Sequence, residues 1–264
     1  MTTCTAQTAG HAARDFYVDA MDRLERAGID VLVGGAFAFA RYTGIERDTK
    51  DFDLFIHPRD LRPALTLFAD TGYQTELKFP HWLGKVHCGE YFIDLIYSSG
   101  NGVATVDDLW FEHAVDAEVL GRAARLMPAE EMIWSKAYVH ERERYDGADV
   151  MHLLRQLGPA LDWRRLVARF GEHWRVLLSF IVQFGFVYPE QRDRIPSPVL
   201  EDLLNRLSAE RTEPRSRVCN GTLLSREQYL VDVERFGYRD ARVEPLGRMT
   251  AEELEVWTAA INEK

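Results

Sequence analysis

The sequence predicts an α+β fold, with an α/β-type core built on a small mixed sheet and a mainly helical C-terminal region. Three observations carry that expectation. Short apolar and β-branched runs alternate with stretches of helical spacing through the first hundred residues. Glycine and proline punctuate these runs where one element must hand over to the next. From Pro128 onward helix starts predominate, so the chain divides into a core at 1–127 and a helical domain on the acceptor side at 128–264.

The elements follow in order. Phe16, Ala20, Leu24 and Ala27 recur at helical spacing and Gly28 stops the run, so the first 30 residues read as a helix. Val31-Leu32-Val33 is a short strand ending in Gly34-Gly35; residues 36–42 supply two helical turns, Gly44 breaks them, and residues 45–50 form a polar connection. A second strand covers 51–56 and is closed by His57-Pro58. Helix, strand and strand come next, at 60–71 with Gly72 as a stop, at 74–79, and at 86–97 interrupted at Gly89. Pro128, with Glu130 and Glu131 behind it, starts a helix whose acids complement the positive end of the macrodipole. Ser197-Pro198 opens another, and Thr250-Ala251-Glu252-Glu253 is a capping box for the last one. The longest apolar stretch, 174–188, is broken by Ser179 and Gln183 and reads as a buried helix.

The bulk properties narrow the function classes. A chain of 264 residues can bury a real core. Its 42 acidic and 32 basic residues give a net charge of −10, which works against binding a long phosphate backbone through counterion release. A basic face formed by Arg206, Arg211, Arg215, Arg217 and Arg226 would offset that disadvantage locally. No apolar run approaches the ~20 residues of a membrane span, and the N-terminus lacks the features of a signal peptide. Cys4, Cys88 and Cys219 lack zinc-site spacing and read as reduced thiols, in keeping with a cytoplasmic protein without a membrane partner.

The chemistry concentrates in residues 31–56. Alternation along a strand puts Asp51 and Asp53 on one face, about 6–7 Å apart at the backbone, with Phe52 and Leu54 on the other. Two carboxylates so placed repel each other unless a cation joins them. Mg²⁺ is the natural ion, since it prefers carboxylate and phosphate oxygens, with Mn²⁺ as an alternative. Asp94, an acid inside the apolar run Tyr91-Phe92-Ile93-Asp94-Leu95-Ile96, is the candidate third ligand, because a charge there is costly unless paired or metal-bound. Gly34-Gly35, at a strand-to-helix junction, lets backbone N–H groups approach a phosphate. These parts suit in-line phosphoryl-type transfer between two metals. The reading requires residue 94 on the same face as 51 and 53, with no lysine bridging the spot.

Gly34-Gly35, fifteen residues, Asp51-Phe52-Asp53-Leu54 and then Asp94 resemble the signature of the polymerase-β-like nucleotidyltransferase superfamily. The connection Gly44-Ile45-Glu46-Arg47-Asp48-Thr49-Lys50 is similar to the version in uncharacterised bacterial nucleotidyltransferases, abortive-infection-type toxins and lincosamide-modifying enzymes. The gap from the glycines to the acids is longer than in the tRNA-terminus-adding branch. The resemblance implies that Asp51, Asp53 and Asp94 are the catalytic metal ligands, and that Gly34, Gly35, Arg47, Thr49 and Lys136 bind nucleotide. It implies as well that Asp146 and Asp149 contact the acceptor or brace the helix. The alternative for Lys136, Arg142 and Asp146 is a solvated helix face with ordinary ion pairs.

The implied function is transfer of an NMP group from an NTP to an acceptor hydroxyl, with a small-molecule acceptor favoured and a homodimer contact open to the helical half. Two alternatives stand beside it. One is a toxin-like enzyme acting on tRNA or protein, and the other is a module on the same fold that holds nucleotide without turnover.

Overall fold

The computed structural model describes residues 9–210 and 217–262. The chain forms two compact units, Met1–Pro128 and Ala129–Lys264. In the first, β1 (Val31–Val33), β2 (Asp51–Ile56), β3 (Gln74–Phe79), β4 (Leu83–Cys88), β5 (Tyr91–Ile96), β6 (Val115–Val119) and β7 (Arg122–Leu126) make one seven-stranded sheet in the order β3-β4-β5-β2-β1-β7-β6. The sheet is mixed: β2 runs parallel to β5 and β1 parallel to β7, while the remaining pairs are antiparallel. The run expected at 86–97 is two strands, because Gly89 takes φ +63° and turns the chain back on itself. The β6–β7 hairpin is an addition to the sequence reading. Its residues are mostly exposed or half-buried, so the apolar alternation that marks a core strand is weak there.

Helices α1 (Ala9–Arg26), α2 (Gly35–Thr43) and α3 (Leu61–Asp70) cover one face of this sheet. Phe16, Tyr17, Ala20, Met21 and Leu24 form the buried stripe of α1. Its Tyr17 stacks on Phe52, whose ring also meets Phe37 of α2 edge-on. Gly84 of β4 lies against Leu61 and Leu65 of α3. On the opposite face Trp110 of α4 (Asp108–Glu112) stacks on Phe55. The first eight residues of the expected N-terminal helix lie outside the described residues.

The second unit comprises α5 (Ala129–Lys136), α6 (Gly147–Leu157), α7 (Trp163–Phe170), α8 (Trp174–Val187), α9 (Ser197–Ala209), α10 (Leu230–Glu234) and α11 (Ala251–Ala259), with a short parallel pair, β8 (Val218–Cys219) and β9 (Arg239–Asp240). Thr250 and Glu253 form the expected capping box at α11. Glu131 is fully buried and accepts hydrogen bonds from Arg165 and Arg169, and Glu130 is bridged by Arg165, so α5 is clasped to α7 by ions as well as by packing. Helix α8 is amphipathic instead of buried all round: Leu177, Phe180, Ile181 and Phe184 face inward while Phe186 is 86% exposed.

No helix among the described residues is long and apolar enough to cross a membrane. Cys219 is a free thiol, whereas Cys88 is disulfide-bonded, which corrects the expectation that all the cysteines are reduced. Cys4 lies outside the described residues.

Candidate functional site

Strand alternation sends Phe52 and Leu54 into the helix-covered face and leaves Asp51 and Asp53 on the other. The parallel register of β2 with β5 then sets Asp94 directly across from Asp53. Carboxylate oxygens of Asp51, Asp53 and Asp94 lie within 4.8 Å of one another, the last of the three being buried. Behind them the Tyr17 hydroxyl donates to Lys50 O at 2.9 Å, anchoring the residue before the acid pair. Burial, followed by the charge of Asp51, pushes that hydroxyl up to about 12, so it stays a donor at neutral pH.

The glycine turn does more than open the backbone. Gly34 N–H donates to Asp53 O at 2.9 Å, and a side chain on Gly34 would strike the Phe55 ring and, at 2.9 Å, the Met127 Sδ. Gly35 has φ +51°, and a Cβ there would overlap the Asp53 carboxylate, reaching its Cγ at 2.6 Å. The absent side chain of Gly35 is therefore the space into which Asp53 is packed. Thr49 is turned toward the acids as well: its hydroxyl donates to Asp51 Oδ1 and lies 3.3 Å from Asp51 N. Arg47 is exposed, with its guanidinium 4.6 Å from the Phe39 ring centroid.

Asp94 has a partner that the sequence reading did not anticipate. Lys85, opposite it on β4, donates from Nζ to Asp94 Oδ1 at 2.6 Å and lies 4.0 Å from the Phe92 ring centroid. Burial pushes the Asp94 carboxyl up and Asp51 adds to that, while the hydrogen bond and charge of Lys85 pull it down; the net shift is upward. A signal for this contact exists in the sequence. A two-residue turn at Gly89-Glu90 pairs Cys88 with Tyr91, and counting outward brings Lys85 opposite Asp94. The condition that no lysine occupy the spot is therefore not met, since Lys85 is paired with Asp94, whereas the condition that residue 94 share a face with 51 and 53 is met.

In the second unit Lys136 Nζ sits 3.0 Å from Asp146 Oδ2 and 2.8 Å from Asp149 Oδ2. Burial works to raise Asp146, but the hydrogen bond from Arg144 and the charge of Lys136 outweigh it and hold the carboxyl below its usual range. Of the arginines expected to form a basic face, Arg206 pairs with Asp202 at 2.7 Å and Arg226 lies over the Trp257 ring. Arg211 and Arg215 fall outside the described residues.

Three carboxylates with no sulfur or imidazole among them form a donor set for a hard divalent cation. Such a set on adjacent strands, beside a glycine turn that opens a helix, is the arrangement that the resemblance to nucleotidyltransferases leads us to expect. The profile of the uncharacterised nucleotidyltransferase family matches residues 3–179, and the chain belongs to that family. No curated protein shows significant similarity to it.

Solved structures similar to the chain include the antibiotic-resistance factor ANT(2'')-Ia, at 13% identity and TM-score 0.39 over 68% of this chain and 97% of that one. The lincosamide antibiotic adenylyltransferase LnuA, in its lincomycin-bound form, is 14% identical with TM-score 0.37 over 53% of this chain and 94% of its own. An antigenic nucleotidyltransferase-like protein from Paracoccidioides brasiliensis is 16% identical with TM-score 0.36 over 64% and 91%. At these TM-scores none of the three bears on the activity of this chain.

Proposed function

We propose that the chain is a Mg²⁺-dependent nucleotidyltransferase that moves an NMP group from an NTP to an acceptor hydroxyl in a two-metal mechanism, with Mn²⁺ able to replace Mg²⁺. The supporting observation is the convergence of Asp51, Asp53 and Asp94 beside Gly34-Gly35. Divalent ions held by these carboxylates would supply charge to offset the triphosphate and to lower the pKa of the acceptor hydroxyl. Asp51 and Asp53 would be ligands to the metal, oriented by Thr49 and by the space over Gly35. Asp94 would complete the set; a bond from the acceptor oxygen to the α-phosphorus forms as the bond to pyrophosphate breaks, and the hydroxyl proton passes to solvent.

Gly34 and Gly35 offer backbone to the phosphates, and Arg47, Thr49 and Lys136 are assigned to the nucleotide. Asp146 and Asp149 are assigned to the acceptor or to holding the Lys136 ammonium. On this reading residues 1–127 carry the chemistry and 128–264 carry acceptor choice, with a homodimer open to the helical half. A small-molecule acceptor in the cytoplasm is favoured, because a net charge of −10 disfavours a polyanion.

A second reading, a module that holds nucleotide without turnover, is favoured by one observation, the Lys85–Asp94 ion pair. The deciding experiment incubates the protein with each α-labelled NTP, Mg²⁺ or Mn²⁺, and separate small-molecule, tRNA and protein acceptor pools, with Asp53→Asn as control. Pyrophosphate release lost in the variant supports transfer, and the labelled pool identifies the acceptor class. Nucleotide binding with no product in any pool sinks the enzymatic reading.

A further inference from the structure

The short hairpin at 139–146, which joins α5 to α6, ends on one of the carboxylates that seat Lys136. His140 and Tyr145 bridge as antiparallel partners and Asp146 N–H donates to Val139 O at 3.1 Å, so residues 141–144 form the turn. Asp146 Oδ2 then lies 3.0 Å from Lys136 Nζ. A second segment, 220–228, straps this hairpin. Ser225 Oγ donates to Glu141 Oε2 and Arg226 N–H donates to Glu141 Oε1, both at 2.6 Å. Beside them His140 N–H donates to Leu224 O at 3.0 Å, and Gln228 Nε2 donates to His140 O at 2.9 Å. The strap is itself fixed: the buried Thr222 hydroxyl accepts from Ala241 N–H at 3.2 Å, and the fully buried Arg242 donates to Arg226 O at 3.3 Å. The hairpin is also held through Tyr145, whose hydroxyl donates to Gln183 Oε1 at 2.9 Å.

Resting on the assignment of Lys136 to the nucleotide, we propose that Glu141 is a positioning residue, and that through it the 220–228 strap sets where the Lys136 ammonium stands. Arg142, Glu143 and Arg144 at the turn are exposed, so burial contributes little to holding it. Its position rests on hydrogen bonds, of which those to the Glu141 carboxylate are charge-assisted. A hairpin that slips carries Asp146 away from Lys136, and a shift of about 1 Å at a group that positions substrate is costly.

The test is equilibrium dialysis of each α-labelled NTP with Mn²⁺ against the wild type, Glu141→Ala and Glu141→Gln, each also in a Lys136→Met background, with circular dichroism to confirm folding. Glu141→Ala should weaken NTP binding by about tenfold, the size of one charge-assisted contact, while the number of NTP sites per chain stays that of the wild type. A role confined to stability would instead lower the number of sites and leave the affinity of the remainder unchanged. Glu141→Gln should restore affinity, because its amide oxygen can accept from Arg226 N–H and its amide nitrogen can donate to Ser225 Oγ. In the Lys136→Met background Glu141→Ala should add nothing, since the strap acts through that ammonium. Unchanged affinity in a folded Glu141→Ala, or the same loss with and without Lys136, would overturn the proposal. If Glu141→Ala does not fold, Ser225→Ala removes one of the two donors and is read in the same way, with an expected loss of about threefold. Pyrophosphate release by a protein whose NTP affinity does not depend on Glu141 removes only the strap. Affinity that depends on Glu141, with no product in any acceptor pool, removes only the transfer reading, and a wild type that binds no NTP overturns both.

Discussion

Gly35→Ala puts a methyl group where the Asp53 carboxylate now lies. The new Cβ would stand 2.6 Å from Asp53 Cγ, whereas ordinary van der Waals contact begins near 3.4 Å, so the carboxyl must retreat by about 0.8 Å, and further at Oδ2. The left-handed backbone at φ +51° adds roughly 1–2 kcal/mol of strain for any L side chain. Gly44→Ala is the matched control. It has φ +73° and the same backbone penalty, but nothing lies within 4 Å of its added Cβ. Both variants should lose stability in chemical denaturation, Gly35→Ala the more because it adds a clash to the backbone penalty they share. Only Gly35→Ala should lose function, because displacing a reacting group by about 1 Å costs on the order of 10² in rate. The assay is Mn²⁺ affinity together with NTP-dependent pyrophosphate release, at a temperature where both variants are folded. Equal losses in the two, or a Gly35→Ala protein with wild-type Mn²⁺ affinity, would refute the claim that this glycine exists to seat Asp53.

Two further outcomes concern stability. Leu120 has φ +55° ahead of Gly121 at φ +75° in the two-residue turn joining β6 to β7, a conformation suited to Asn-Gly. Leu120→Asn should raise stability by up to about 1 kcal/mol in denaturant titration, and a loss of stability would show that the half-buried leucine packs more strongly than its turn is strained. The fully buried Arg242 donates a hydrogen bond to Asp240 at 2.6 Å, and although burial works to raise the Asp240 carboxyl, Arg242 outweighs it and holds the carboxyl below its usual range. Because the folded pKa is depressed, this stabilisation is complete above about pH 4 and fades as pH falls through the lower folded value. Asp240→Asn should then cost about 3–5 kcal/mol at neutral pH, through the charge left unpaired on Arg242, and its deficit should shrink only in acid. A deficit that varies between pH 5 and 8 would point to a different group.

The candidate site is partly written in local sequence and partly not. Asp51 and Asp53 share a face because strand alternation has a period of two, and no tertiary information is needed to say so. That Asp94 faces Asp53 depends on β2 lying beside β5 in parallel, with β3 and β4 between them in the chain and beyond them in the sheet. Lys136 illustrates the same limit. Its helix is legible from Pro128 and the following acids, but its two carboxylate partners come from the start of another helix.

By itself the sequence determined the strand-and-helix alternation of the first half, the stops at Gly28, Gly44 and Gly72, the capping box at Thr250 and the candidate acid trio, since all of these follow from spacing within a few residues. The tertiary structure decided which of those acids converge, that Lys85 binds one of them, that the open side of Gly35 holds a carboxylate, and that one flank of α8 stays exposed. The physical reason is reach. Propensity, capping and alternation act along the backbone over one or two turns, whereas a cross-strand register is fixed only when the whole sheet buries its apolar face at once.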